Sequence, residues 1–376
     1  MAKQNRSCIF VSGGGTGGHI YPAIAICDEI KKRDLYDIFY IGNPQNMEYG
    51  IVKEKGFNFL PVKVKGMPRQ LSFSLLKWCF QLMIAVFQSL VYLLKYRPVA
   101  VFGTGGYVSA PVLIACSVFK FLHIPFMMHD CDAQPGLVTR KISPYAKCVS
   151  LAFEGAKKFI NNKNVFVYGN PIREDFKTLS KSDARKDLNL EDKLTICITG
   201  GSQGAKSINN AACAILKKLS QNNIQVIFQT GRRNFEKVIE TLLINFPDYE
   251  RDKNLVIRPY FSEMSKALKA SDIVVSRAGS LSLSEICAVP AAPILIPYPY
   301  AAADHQRKNA QFLTDKNAAI YIEDSSLTSE VLLQNILTLV NDENLLNTLK
   351  SNAFQLANYD AVSQITDKLF SIVKKS

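Results

Sequence analysis

The sequence predicts an α/β protein built from two doubly wound parallel sheets, each with helices on both faces. Three observations predict it. Short apolar runs alternate with helix-length segments along the chain. Four of those runs end in turns of glycine and other small residues, two in each half of the chain. With 376 residues, 48% of them hydrophobic and 20% charged, the chain is globular and long enough for two domains.

Taken in order, strands are expected at 7–12, 37–41, 99–102, 125–128 and 165–168, then at 194–199, 224–229, 255–258, 272–276 and 293–297. Helices are expected near 22–33, 74–96, 109–122, 206–220, 234–245, 263–270, 281–288 and 306–314. An apolar strand stops at the turn residues Gly169-Asn170-Pro171-Ile172-Arg173. This boundary gives a first domain over 1–170 and a second over 174–354. The last segment, 355–376, is expected to pack back on the first.

The four turns are Gly13-Gly14-Gly15-Thr16-Gly17-Gly18-His19, Gly103-Thr104-Gly105-Gly106-Tyr107, Gly200-Gly201-Ser202-Gln203-Gly204-Ala205 and the leaner Ser276-Arg277-Ala278-Gly279-Ser280. A strand, a small-residue turn and a helix start together form an anion site. Glycine lets backbone N–H groups approach a phosphate, and the helix start adds partial positive charge. Two such turns per half point to two nucleotide-type halves facing a shared cleft.

Charge is unevenly distributed. Residues 1–173 hold 21 Lys+Arg against 9 Asp+Glu, so nearly all of the +13 net charge lies in the first half. Such a half suits nucleic acid, an anionic membrane or a phosphorylated substrate. Nine scattered cysteines without a C-x-x-C pair fit a reducing compartment, and four histidines make a metal cluster an unpromising reading. The N-terminus passes into a strand without an apolar leader. The apolar segment Leu71–Leu94 has the length of a membrane span, but Lys77, Gln81, Gln88 and Ser89 interrupt it. It reads either as a core helix or as a surface helix dipping into a membrane, with Lys65, Arg69, Lys77, Lys95 and Arg97 around it.

Gly13-x-Gly15-x-x-Gly18 fits the dinucleotide pattern, but the second strand closes with Gly42-Asn43 where a nicotinamide site wants an acidic residue. Gly200–Ser207 nearly fits a P-loop, but Ala205 stands where the pattern needs glycine. A third reading accounts for more residues. In order come Gly14–Pro22, Gly105-Gly106-Tyr107-Val108-Ser109-Ala110-Pro111, Gly169–Arg173, Gly200–Ala205 and Ser276–Glu285. Five such stretches in register over about 8–315 resemble the MurG family of peptidoglycan glycosyltransferases.

The resemblance implies a GT-B fold, two Rossmann-like domains facing a cleft. It also implies an inverting transfer of N-acetylglucosamine from UDP-GlcNAc to lipid I, a polyprenyl-diphosphate-linked acceptor. It implies no cofactor and no metal, UDP-GlcNAc being the substrate, and no nucleic acid. Expected partners are an anionic membrane surface and cell-wall or division proteins. The expected place is the cytoplasmic face of the inner membrane, held peripherally.

For the donor, the resemblance points to Ser202, Gln203 and Gly204 on the diphosphate and to Arg173 as a nearby positive charge. Phe261 would read the uracil edge through its backbone, and Glu285 would accept the ribose hydroxyl protons. Arg277, the turn Ser280, Leu281, Ser282, Leu283 and Ser284, and then His305 and Gln306 at the sugar complete the set, together with Thr16, Gly17, Gly18 and Asp132 from the first half. For the acceptor it points to Gly14, Gly15, Gly105, Gly106, Tyr107 and His129. His19 is the candidate general base, since histidine titrates near neutrality; Asp130 and Asp132 are the alternatives.

The chain departs from the family pattern in three places. The usual His-Glu-Gln-Asn is His129-Asp130-Cys131-Asp132, and a carboxylate at Asp132 cannot donate the amide hydrogen bond of an asparagine. Cys287–Pro293 lacks an expected glycine, and Tyr298–Ala303 is rich in small apolar residues. These departures leave room for a related lipid transferase, for example one moving galactose to a diacylglycerol, or for a UDP-sugar-binding scaffold without turnover.

Overall fold

The computed structural model describes residues 6–68, 73–201, 203–301 and 304–373. Arg69, Leu71 and Ser202 of the sequence analysis lie outside them. The chain forms two compact units, one of Met1–Ile172 with Asn358–Ser376, the other of Arg173–Ala357.

The first unit holds seven strands: β1 Cys8–Ser12, β2 Asp37–Gly42, β3 Asn58–Pro61, β4 Ala100–Gly103, β5 Phe126–Asp130, β6 Cys148–Leu151 and β7 Val165–Val167. Their order is β3-β2-β1-β4-β5-β6-β7, and every pairing is parallel. The second unit holds β8 Thr195–Thr199, β9 Gln225–Gln229, β10 Leu255–Arg258, β11 Ile273–Ser276, β12 Ala292–Leu295 and β13 Ile320–Tyr321. Their order is β10-β9-β8-β11-β12-β13, again all parallel. Strands β3, β6 and β13 were not anticipated.

In a sheet of this kind the chain reverses direction at one point, and ligands bind outside the carboxyl ends of the two strands that flank it. Here those pairs are β1/β4, where Ser12 faces Gly103, and β8/β11, where Thr199 faces Ser276. The four small-residue turns follow these four strands. The topology thus places every turn found in the sequence at a switch point.

The central strands are buried on both faces, as parallel sheets require, and read as unbroken apolar runs. In the first unit one face packs under helices Phe73–Tyr96 and Gly106–Val118. The other packs under Gly17–Arg33 and the C-terminal helix Ala361–Ile372, whose Ile365 and Leu369 join Ile9, Ile26 and Phe102. In the second unit Lys206–Gln221 and Ser329–Asn341 cover one face, and Ser280–Cys287 and His305–Thr314 pack on the other side.

The helix Phe73–Tyr96 is long and apolar enough to cross a membrane, yet only 17% of its most apolar stretch is buried. It is therefore not a core helix. Ala85, Ser89, Leu90 and Leu93 face the unit, and Trp78 Nε1 and Gln88 Nε2 donate to the carbonyls of Lys65 (2.8 Å) and Pro61 (2.9 Å). Phe73, Leu76, Phe80, Met83, Ile84, Phe87, Val91 and Leu94 recur at three- and four-residue spacing and stay exposed.

Candidate active site

The two glycine turns of the first unit come together. The helix Gly17–Arg33 starts at the Thr16 cap, and Gly17 and Gly18 lie in its first turn, where backbone N–H groups have no helical partner. The Tyr107 ring lies against Gly15, where an added Cβ would sit 2.6 Å from Cε1. Its hydroxyl accepts from Asn46 Nδ2 at 3.0 Å. Buried Glu48, absent from the expected set, accepts from the N–H of Gly15 (3.3 Å) and of Asn43 (3.2 Å). A Cβ on Gly106 would sit 2.9 Å from His19 Cδ2 and 3.3 Å from the Gly14 carbonyl, so the two turns abut.

His19 is held in one tautomer. Its Nδ1 lies 2.9 Å from the Thr104 carbonyl, which can only accept, so Nδ1 carries the proton and Nε2 keeps a lone pair. Thr104 Oγ1 in turn donates to the His19 carbonyl at 2.6 Å. Thr104 was missed because nothing distinguishes a threonine in a glycine turn until the turn folds.

The loop after β5 corrects two expectations. His129 is fully buried, with Nδ1 3.0 Å from Ser150 Oγ and Nε2 3.2 Å from Asn170 Oδ1. Burial pushes its pKa down to about 4, against the Asn170 hydrogen bond. A neutral ring with both nitrogens engaged offers nothing to an acceptor; it anchors Asn170, whose Nδ2 donates to the Cys131 carbonyl. Asp130 is also buried. It accepts from the N–H groups of Asp132 (3.2 Å) and Gly136 (3.1 Å), and burial followed by the Asp132 charge pushes its carboxyl up. It shapes the loop that carries half-buried Asp132 and is not exposed as a base.

In the second unit the turn after β8 lies on the turn after β9. Gly204 has φ 76°, and a Cβ there would meet the Thr230 carbonyl at 2.1 Å. Only glycine permits both the left-handed backbone and this approach. Gln203 is exposed, and its carbonyl accepts from Asn234 Nδ2 at 3.1 Å. Ser202 lies outside the described residues. Buried Gln229 donates to Thr199 Oγ1 at 3.1 Å and accepts the Phe261 N–H at 2.8 Å. The Phe261 N–H is therefore committed within the protein.

Arg173 and Glu285, expected separately at the donor, form an ion pair, Nε to Oε1 3.2 Å. Burial pushes Glu285 up to about 7, with Arg173 pulling the other way. Arg277 is a correction. Its guanidinium donates to Asp324 Oδ1 (2.6 Å), the carbonyls of Ile296 and Pro297, and Ser207 Oγ (3.0 Å). These bonds tie β11, β12 and the helix Lys206–Gln221 together, where the expectation had placed the guanidinium on the donor.

Leu283 is the other correction here. Its side chain joins the core with Ala278, Cys287 and Leu295, and its N–H donates to the Gly279 carbonyl at 2.9 Å. The first turn of this helix carries the amides of Ser280, Leu281 and Ser282. Ser284 Oγ points back to the Ser280 carbonyl at 3.0 Å. His305 opens the helix His305–Thr314. Beside it, Gln306 Oε1 accepts the Tyr298 N–H at 2.9 Å, which orients the amide and leaves its NH2 group to donate.

The sequence matches the glycosyltransferase family 28 N-terminal domain over residues 9–151 and the family's C-terminal domain over residues 195–365. It is similar to the UDP-N-acetylglucosamine–N-acetylmuramyl-(pentapeptide) pyrophosphoryl-undecaprenol N-acetylglucosamine transferase of Thermoanaerobacter sp. (strain X514), 36% identical over 96% of this chain and 98% of that protein. The Bacillus licheniformis protein of the same name is 36% identical over 98% of both chains. A crystal structure of Acinetobacter baumannii MurG has a TM-score of 0.75 at 26% identity, covering 97% of this chain and 99% of that one.

Proposed function

We propose that this chain, which belongs to glycosyltransferase family 28 and within it to the MurG-type GT-B enzymes, transfers N-acetylglucosamine from UDP-GlcNAc to lipid I and so makes lipid II for peptidoglycan. The similarity to relatives of that name over nearly the full length carries the reading.

The first unit handles the acceptor. His19 Nε2 takes the proton of the acceptor hydroxyl. The oxygen attacks the anomeric carbon of the donor sugar, the bond from that carbon to the diphosphate oxygen breaks, and UDP leaves with the electron pair. Attack opposite the leaving group inverts the centre. The His19 proton then passes to solvent. The Thr104 carbonyl, by holding Nδ1–H, stabilises the imidazolium that forms in between.

The second unit handles the donor. Ionised Glu285 accepts from the ribose hydroxyls, the Phe261 carbonyl meets the uracil, and the Gln306 amide donates to the sugar. The Gly200–Gly204 turn and the amides of Ser280–Ser282 face the diphosphate. Asp132 replaces the amide donor of the family and bears on the choice of sugar.

The acceptor is a membrane lipid, and the exposed face of Phe73–Tyr96 is our candidate for the membrane contact. Its eight large apolar side chains lie beside Lys65, Lys77, Lys95 and Arg97, the arrangement of a helix lying in an anionic interface. This holds the enzyme peripherally on the cytoplasmic leaflet.

The test is transfer from radiolabelled UDP-GlcNAc to a lipid I analogue, with UDP-galactose and UDP-glucose alongside. Product from UDP-GlcNAc alone is expected. Product only from another sugar, or none from any, refutes the assignment.

A further inference from the structure

A departing UDP needs positive charge at its diphosphate. Two arginines were expected at the donor, and both are matched by carboxylates: Arg173 by Glu285 at 3.2 Å, Arg277 by Asp324 at 2.6 Å. A third arginine, which the sequence did not single out, has no carboxylate partner among the described residues. Arg232 is exposed, and its guanidinium lies over a ring: Cζ is 4.7 Å from the centroid of Tyr260.

Its position in the chain is telling. Gly231, Arg232, Arg233 and Asn234 form a turn closed by the Asn234 N–H to the Gly231 carbonyl at 3.1 Å. Both ends of that turn rest on the diphosphate turn. A Cβ on Gly231 would lie 2.3 Å from Gly204 N, and Asn234 Nδ2 donates to the Gln203 carbonyl at 3.1 Å. Arg232 therefore projects from a short turn whose ends are pinned to the Gly200–Gly204 turn. Tyr260 stands next to Phe261, whose N–H is held by Gln229, so the backbone beside the ring is fixed. Stacking on a ring face leaves the guanidinium edge, with its N–H donors, free for a phosphate.

We infer that Arg232 is a further donor-binding residue, a guanidinium held on Tyr260 that binds the diphosphate of the nucleotide sugar and meets its charge as UDP leaves. Arg233, next in the same turn, lacks the aromatic support and takes no part. The inference rests on the donor reading above and adds the residue that supplies unneutralised charge.

Calorimetric titration of the full chain with UDP and with uridine tests it, using wild type, Arg232→Gln, Arg233→Gln and Tyr260→Leu. Wild type is expected to bind UDP more tightly than uridine. Arg232→Gln is expected to weaken UDP about tenfold or more and to leave uridine unchanged, because a charge-assisted hydrogen bond is lost. Tyr260→Leu should weaken UDP by a smaller factor, Arg233→Gln should match wild type, and the salt dependence of UDP binding should flatten in Arg232→Gln. Unchanged UDP affinity in Arg232→Gln, or an equal loss for uridine, overturns the inference while the donor reading stands. A wild type that binds neither ligand overturns both.

Discussion

Two glycines in one turn allow backbone strain and close packing to be separated by experiment. Gly201 and Gly204 have nearly the same left-handed backbone, φ 82° and 76°. An alanine at either carries a conformational cost of about 1–2 kcal/mol. Their surroundings differ. Among the described residues nothing lies within 4 Å of a Cβ on Gly201, whereas one on Gly204 meets the Thr230 carbonyl at 2.1 Å and Asn234 Nδ2 at 2.7 Å. Ordinary contact starts at 3.4 Å, so the carbonyl must withdraw by more than an ångström. That carbonyl also accepts from buried Asn209 Nδ2 at 2.8 Å, and the withdrawal breaks this bond. Overpacking costs about 1–3 kcal/mol, and an unsatisfied buried polar group a similar amount. Gly204→Ala should thus lose about 3–8 kcal/mol and Gly201→Ala about 1–2 kcal/mol. Hydrogen exchange at the amides of β8 and β9 reads the loss in this unit alone, and UDP binding reads whether the turn keeps its shape. Equal losses in the two variants would show that the turns after β8 and β9 are not in contact, and would remove the basis for placing Arg232.

Four further outcomes are expected. His19→Ala should lower turnover by about 10²–10⁴ while UDP affinity is nearly kept; near-normal turnover would remove His19 from the base role. Glu285, pushed up to about 7 by burial, should hold a proton increasingly as pH falls below about 7, so wild-type affinity for uridine, which has no phosphate to titrate, should drop over that range and stay flat in Glu285→Gln. The same raised pKa favours the protonated folded form, so its contribution to stability should decline as pH rises from the ordinary carboxylate range toward about 7. Asp272, where Lys181, Lys350 and Arg185 converge at 2.6–3.0 Å, sits below its ordinary value because hydrogen bonds from the two lysines outweigh burial. Asp272→Asn leaves those cations unmatched and should cost about 3–5 kcal/mol at neutral pH in urea unfolding, a difference that narrows as pH falls through the range where Asp272 protonates. Phe80→Ser with Phe87→Ser should cut pelleting with anionic liposomes more than tenfold, since each buried phenylalanine is worth about 1.5–3 kcal/mol; unchanged pelleting would move the membrane contact elsewhere.

Much of this was legible before any coordinates. An apolar run followed by glycines announces a strand meeting a helix start, and the four turns do lie at the two switch points. The helix starts were set too late, at 22 and 109. Pro22 and Ser109 look like starts, yet the helices begin at Gly17 and Gly106 and carry Pro22 and Pro111 inside. What sequence could not supply was the partner of each polar side chain. His19 and His129 look alike in a string. The bonds that make one a poised base and the other a buried anchor come from Thr104, Ser150 and Asn170, residues 21 to 85 positions away. The partner of Arg277 was hidden for the same reason, because Asp324 is 47 residues beyond it.

The C-terminal helix gives the chain an order of events during synthesis. Ile365 and Leu369 are fully buried in the core of the first unit, Arg33 pairs with Asp367, and Tyr36 meets Phe370 at 5.1 Å. A ribosome that has finished residue 172 has therefore not finished the first unit. It must translate the whole of Arg173–Ala357 before the helix that closes it emerges. At about 5–20 residues per second that is a wait on the order of ten to forty seconds. Over that interval the face of β1 and β4 that receives this helix stays open, while the apolar stripe of Phe73–Tyr96 is already exposed. The nascent first unit is thus the stage at which a chaperone, or the membrane itself, has most to cover.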